Sequence, residues 1–164
     1  MAINFLWANG TSNSGLITPL LSLITTEANS LANNNTCVST VGGTSGLFSQ
    51  TNTTQGIWGE LFLTLGAIGT SLSSNSPNLS GWFLTTPDSG TTIETPATNA
   101  SLPRPPDFII PLPSTTITAG WVFKATELIQ VPSLMFKTYI QNNSGQGFSA
   151  TGNSLKLAVV ASQY

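Results

Sequence analysis

Acid–base chemistry in this chain would have to come from carboxylates, because the sequence has no histidine and a single cysteine. Without histidine there is no Ser-His-Asp or Cys-His nucleophile and no ordinary neutral-pH general base. Cys37 alone builds neither a zinc nor an iron–sulfur site and has no internal disulfide partner, so it reads as a free, half-buried thiol. "GGTSG" at Gly42 lacks the lysine of a phosphate-binding loop, and calcium would need more clustered carboxylates than the one in "PDSG". A carboxylate pair of the glycosidase kind remains, with Glu60, Asp88, Glu94, Asp107 and Glu127 as candidates. Glu60 is the most interesting, because it stands between Trp58 and Phe62 on one face of an alternating stretch, as a sugar site would arrange it. A lone Glu on such a face is usually just solvated. The expectation is a chain with no catalytic residue, no cofactor and no metal.

Charged residues make up 6% of the 164 residues and hydrophobic ones 40%. Soluble domains average about 25% charge. Here Thr, Ser and Asn replace it, giving a surface that is wet but only weakly self-repelling. The four cations, Arg104, Lys124, Lys137 and Lys156, are scattered. A phosphate-tracking groove needs them clustered, so no nucleic-acid partner is expected. No apolar run is long enough for a membrane span. "MAINFLWANG" lacks the basic and long apolar regions of a secretory signal, which points to synthesis in a reducing cytoplasm.

The elements that would position these residues divide into residues 1–35, an N-terminal arm with one short helix, and residues 36–164, a β-sandwich. The arm carries an apolar tip of Ile3, Phe5, Leu6 and Trp7, followed by the polar, Gly-containing "ANGTSNSG". Thr18 and Pro19 can open a helix, and Leu20, Leu21, Ile24, Ala28 and Leu31 recur at helical spacing toward a stop at Asn33–Asn35. Its other face holds Ser22, Thr25, Thr26 and Asn29, all weak helix formers, so that helix needs a surface to lean on.

From Thr36 the pattern turns to period two, with turn residues roughly every ten positions. Ile57, Leu61, Leu63 and Leu65 fall on one face; Trp58, Glu60, Phe62 and Thr64 fall on the other. "SGWFLTT" and "TTIE" are expected to form a hairpin around "PDSG", and "AGWVFKATELIQV" to pair with "LMFKTYIQ". In the tail, Leu155, Leu157, Val159 and Ala161 share a face. Trp58, Trp82 and Trp121 should lie near strand ends, their indole N–H groups partnered. The fold class is all-β: an antiparallel sandwich of eight or nine strands, jelly-roll-like.

"LPRPPDFIIPLP", Leu102–Pro113, is apolar enough to bury and too rich in proline for a helix or a central strand. It follows a long connection, Thr91–Pro106, that should lie over the outside of the domain. It should be an edge strand or an extended strap held by its side chains, closing either its own core or a neighbour's. Arg104 and Asp107 can pair locally.

At "RPPDFIIPLP", "QNNSGQGFSATGNSLKLAVV" and the closing "ASQY", the chain resembles small virion proteins of tailed bacteriophages. That group includes capsid decoration, or cement, proteins, which are often β-rich homotrimers seated where capsomers meet. The resemblance implies a non-enzymatic homo-oligomer, a trimer, on the exterior of the virion and partnered with the major capsid protein. The contact residues expected are Phe5, Trp7, Leu20, Leu21, Ile24, Phe108, Ile109 and Ile110. The same texture occurs in tail and fibre modules, where the expected partner is a host receptor or carbohydrate.

Overall fold

A computed structural model describes residues 5–7, 21–40, 48, 56–88, 91–132 and 134–162, with side chains except those of 5–7, 56, 57 and 159–162. These residues form ten strands: β1 Phe5–Trp7, β2 Leu21–Ile24, β3 Thr36–Val38, β4 Gly56–Leu65, β5 Asn78–Thr86, β6 Phe108–Pro111, β7 Trp121–Lys124, β8 Ile129–Gln130, β9 Met135–Asn143 and β10 Ser154–Ser162. One sheet places β10 beside β4. β1 and β2 share the outer edge of β10, and β7 and β8 share that of β4. The second sheet runs β3-β9-β5-β6. Every named pairing is antiparallel. From β2 to β5 the chain changes sheet at every strand, and again from β6 to β10 once β7 and β8 are taken as one broken strand. That is the order of a double-sheet jelly roll.

The alternation of β4 produces the sandwich directly. Leu61, Leu63 and Leu65 are fully buried, while Glu60, Phe62 and Thr64 face outward. Leu155 and Leu157 of β10 sit opposite Leu63 and Leu61 and join them in the core. The facing sheet contributes Leu79 and Phe83 of β5, Phe136 and Ile140 of β9, and Phe108 and Ile110 of β6. Each fully buried Leu, Ile or Phe contributes about 1.5–3 kcal/mol. The long connection lies over the outside, as expected: Leu102 and Ile93 pack on Trp82, Leu84 and Tyr139, the outward residues of β5 and β9. The Tyr139 hydroxyl donates to the Ala100 carbonyl at 2.8 Å, and the Trp82 indole donates to that of Arg104 at 3.1 Å.

Three expectations are corrected. The helix does not form: Leu21–Ile24 is a strand and no helix occurs among the described residues. Residues after it fold into short turns closed by bonds such as Leu31 N–H to the Ala28 carbonyl, with Ser30 and Asn34 at positive φ. Ser22, Thr25 and Thr26 are weak helix formers, and the β10 edge offers Leu21–Ile24 a ladder to join. Thr91–Glu94 is not the second strand of a hairpin. Asp88 accepts the Thr92 N–H at 2.7 Å and the Thr92 hydroxyl at 2.6 Å, which knots the chain locally instead. Finally, β7–β8 and β9 do not pair. They lie in different sheets, on β4 and β5 respectively, because the chain crosses over at Val131–Pro132.

Candidate functional site

Gly81 stands opposite Phe108, and the Phe108 ring fills the space a side chain at 81 would need. Above Gly81, the next β5 residue facing β6 is Phe83, and the ladder position it would meet falls at Pro106, which has no N–H. An ion pair takes over. Asp107 Oδ2 accepts the Phe83 N–H at 2.7 Å, and Arg104 Nη2 donates to the Phe83 carbonyl at 3.0 Å. Arg104 Nη1 meets both Asp107 oxygens at 2.9 and 3.0 Å. The proline-rich segment is thus an edge strand, held by a ladder over Phe108–Pro111 and by side chains before it, against its own chain's core.

Between its start and the β7–β8 connection lies a cleft of about 260 Å³, lined by Pro106–Ile109 and Ala125–Ile129. Ile109 and Leu128 bring exposed apolar side chains to it. Trp58, Ile109, Trp121, Val122 and Leu128 are each 42–56% exposed and belong to β4, β6, β7 or the β7–β8 connection. The unpaired edge of β6 is blunted, since Pro111 has no donor to offer a further strand. Side chains, not ladder bonds, are what this edge presents.

The adjoining outer face of β4 carries Trp58, Glu60 and Phe62, with Lys124 of β7 opposite Phe62. Lys124 pairs with Glu60, and its ammonium lies 5.0 Å from the Phe62 ring centroid. So exposed an ion pair contributes at most about 1 kcal/mol. Its effect is to commit Glu60 to a neighbour on the same face. Among the described residues no group of three or more His, Cys, Asp or Glu side chains could hold a metal ion. Of the carboxylates proposed for hydrolysis, Asp107 and Glu127 share the cleft, and Asp107 is occupied by Arg104 and Phe83.

The contact residues expected from sequence divide four ways. Ile24, Phe108 and Ile110 are buried in the chain's own core, which corrects their assignment as surface contacts. Leu21 and Ile109 remain exposed. Phe5 and Trp7 lie in β1, on the β10 edge, and Leu20 is outside the described residues. Sequence reasoning missed Trp121, Val122 and Leu128. The available signal was "WVFK", which is bulky on both alternating faces and so reads as an edge strand.

A second cluster ties the end of β2 to the residue after Ser39. Glu27 Oε1 accepts the Thr40 N–H and hydroxyl, both at 2.6 Å, and Oε2 accepts the Thr25 N–H at 2.8 Å. Partial burial pushes this carboxyl up, but the Thr40 hydroxyl and the backbone donors outweigh it and hold it at about 2. Nearby, burial and then the Glu27 charge push the Cys37 thiol up to about 12.

Comparison with protein-family models, with curated proteins and with solved structures returns no match.

Proposed function

We propose that this chain is a non-enzymatic structural protein of a phage particle, a decoration protein that binds the head exterior and bridges neighbouring capsid subunits. It acts as a homo-oligomer, a trimer, made in the host cytoplasm, with the major capsid protein as partner. The observation that carries this reading is the exposed apolar pair Ile109 and Leu128 on one cleft, with Trp58, Trp121 and Val122 exposed on β4 and β7. Exposed apolar side chains of this size on a chain with so little charge are suited to permanent burial against another subunit. Several weak contacts made at once by an oligomer then act together. The resemblance of "RPPDFIIPLP" and "QNNSGQGFSATGNSLKLAVV" to small virion proteins motivates the same reading.

The test is binding to undecorated capsids. Val122→Glu with Leu128→Glu changes only exposed side chains, so the fold should persist while decoration drops at least tenfold. Undiminished decoration by the double variant, or a location away from the head in intact particles, refutes the reading.

A second reading rests on Trp58, Glu60 and Phe62 sharing one outer face: a tail or fibre module that binds a host carbohydrate or receptor. Here Trp58→Ala reduces host adsorption. Silence on a glycan array, together with unchanged adsorption by Trp58→Ala, removes it.

A further inference from the structure

The outer edge of β10 is filled twice by the same polypeptide. Phe5, Leu6 and Trp7 stand opposite Ser162, Ala161 and Val160. Leu21 and Ser22 stand opposite Leu157 and Lys156, and Ile24 opposite Leu155. Both strands run the same way along that edge. From Trp7 to Leu21 the path therefore advances only from Val160 to Leu157, about 10 Å at strand spacing.

Residues 8–20, "ANGTSNSGLITPL", join the two strands. Fully extended, they reach about 45 Å. Continuation down one edge needs two or three residues, so most of this connection is surplus to the path within one copy. It is long enough to carry an identical strand to the same slot on a neighbour. Such an exchange leaves every ladder contact unchanged, because the occupant is the same sequence in the same register. The acceptor has a reason to be filled: without an occupant, Val160–Ser162 would present open backbone groups at a sheet edge. The donor is short, with a ladder of three residues, so its release from its own chain costs little.

We propose that Phe5–Trp7 is an exchanged strand, seated against Val160–Ser162 of a second copy of this chain, and that it links the copies of the homo-oligomer. The inference rests on the homo-oligomeric part of the function proposed above. It specifies what a neighbouring copy contributes: the outermost strand of the sheet.

The register supplies the experiment. In the full chain with Cys37→Ser, Leu6→Cys and Ala161→Cys place a cysteine pair across β1 and β10. Oxidation is expected to give covalent multimers on a non-reducing gel that collapse to one band on reduction. A disulfide formed within single chains overturns the exchange. Deletion of residues 1–7 is the independent arm. Light scattering should then report monomers, and an oligomer that survives the deletion overturns the proposal whatever the cysteines do. The two readings fail separately. Intramolecular disulfides inside an intact oligomer sink the exchange alone, and multimers that do not decorate capsids sink the virion reading alone. A full-length monomer at every concentration sinks the exchange together with the oligomer.

Discussion

The Asp107 carboxylate stands 2.7 Å from the backbone nitrogen of Phe83, where a peptide carbonyl of β6 would stand had the ladder continued. Arg104 on the Phe83 carbonyl supplies the donor that Pro106 lacks, while Asp107 serves as the acceptor for the Phe83 N–H. A proline-rich segment can therefore close a sheet edge, provided charged side chains stand in for its missing donors.

Removing that stand-in should be costly. Asp107→Ala leaves the Phe83 N–H without its acceptor and leaves Arg104 with only the Phe83 carbonyl and Glu94, and about 1–3 kcal/mol of stability should be lost. Asp107→Asn keeps an acceptor oxygen and should lose less. Denaturant unfolding of both, with Arg104→Ala as the third corner of a cycle, checks this. Additive losses would show that the two side chains do not act as one unit.

Gly81 should tolerate no side chain. A Cβ there would lie 2.0 Å from Phe108 Cζ, and the Phe108 ring is packed 5.4 Å from that of Phe83. Gly81→Ala should cost about 1–3 kcal/mol as overpacking. Adding Phe108→Leu should recover part of it, read as a shift in denaturant midpoint at constant slope. A midpoint unchanged by Gly81→Ala would refute the packing account.

Acid should loosen the junction between β2 and β3. The Glu27 carboxyl is held at about 2 when folded, against 4.5 for the free group. A lowered folded value means the carboxylate stabilises the fold fully above about 4.5. That contribution fades as pH falls from about 4.5 to about 2. Glu27→Gln should be less stable than the parent at pH 7 and nearly equal to it near pH 2. Parallel pH profiles for the two proteins would contradict this.

Cys37 should be a sluggish thiol. With its ionisation pushed up to about 12, almost none of it is thiolate at pH 8, and the thiolate is the reactive form. Alkylation by iodoacetamide at pH 8 should be at least tenfold slower in the folded chain than in denaturant. Glu27→Gln should speed it, since part of the shift comes from that charge. Equal rates, folded and unfolded, would refute it.

Much of the sandwich was legible because one face of a strand faces water and the other does not. Leu61, Leu63 and Leu65 declared the inner face of β4, and Pro111 declared an edge. The stripe from Leu20 to Leu31 misled for a physical reason: Leu21, Ile24, Ala28 and Leu31 satisfy helical spacing whatever the chain does. The choice was made by the open edge of β10, which lies far away in sequence. The cleft was harder to see, since Ile109 and Leu128 become neighbours only when β6 and the β7–β8 connection line the same cleft.

The sequence by itself determined the all-β class, the inward residues Leu61, Leu63 and Leu65 of β4 and Leu155 and Leu157 of β10, the exclusion of Phe108–Pro111 from a sheet centre, the Arg104–Asp107 pair and the lone thiol. These follow from properties a residue carries with it: side-chain alternation, a missing N–H, a charge three positions from its opposite. Tertiary structure alone decided that Phe108 and Ile110 serve their own core while Ile109 stays exposed. It also decided that β7–β8 and β9 part into different sheets and that Asn142 and Asn153 become buried amides. Asn142 Nδ2 donates to the Leu31 and Gln146 carbonyls at 2.9 and 2.7 Å, and Asn153 Oδ1 accepts the Gly66 N–H at 3.0 Å. No local pattern marks such residues, because what makes an amide burial favourable is the set of partners that distant segments bring to it.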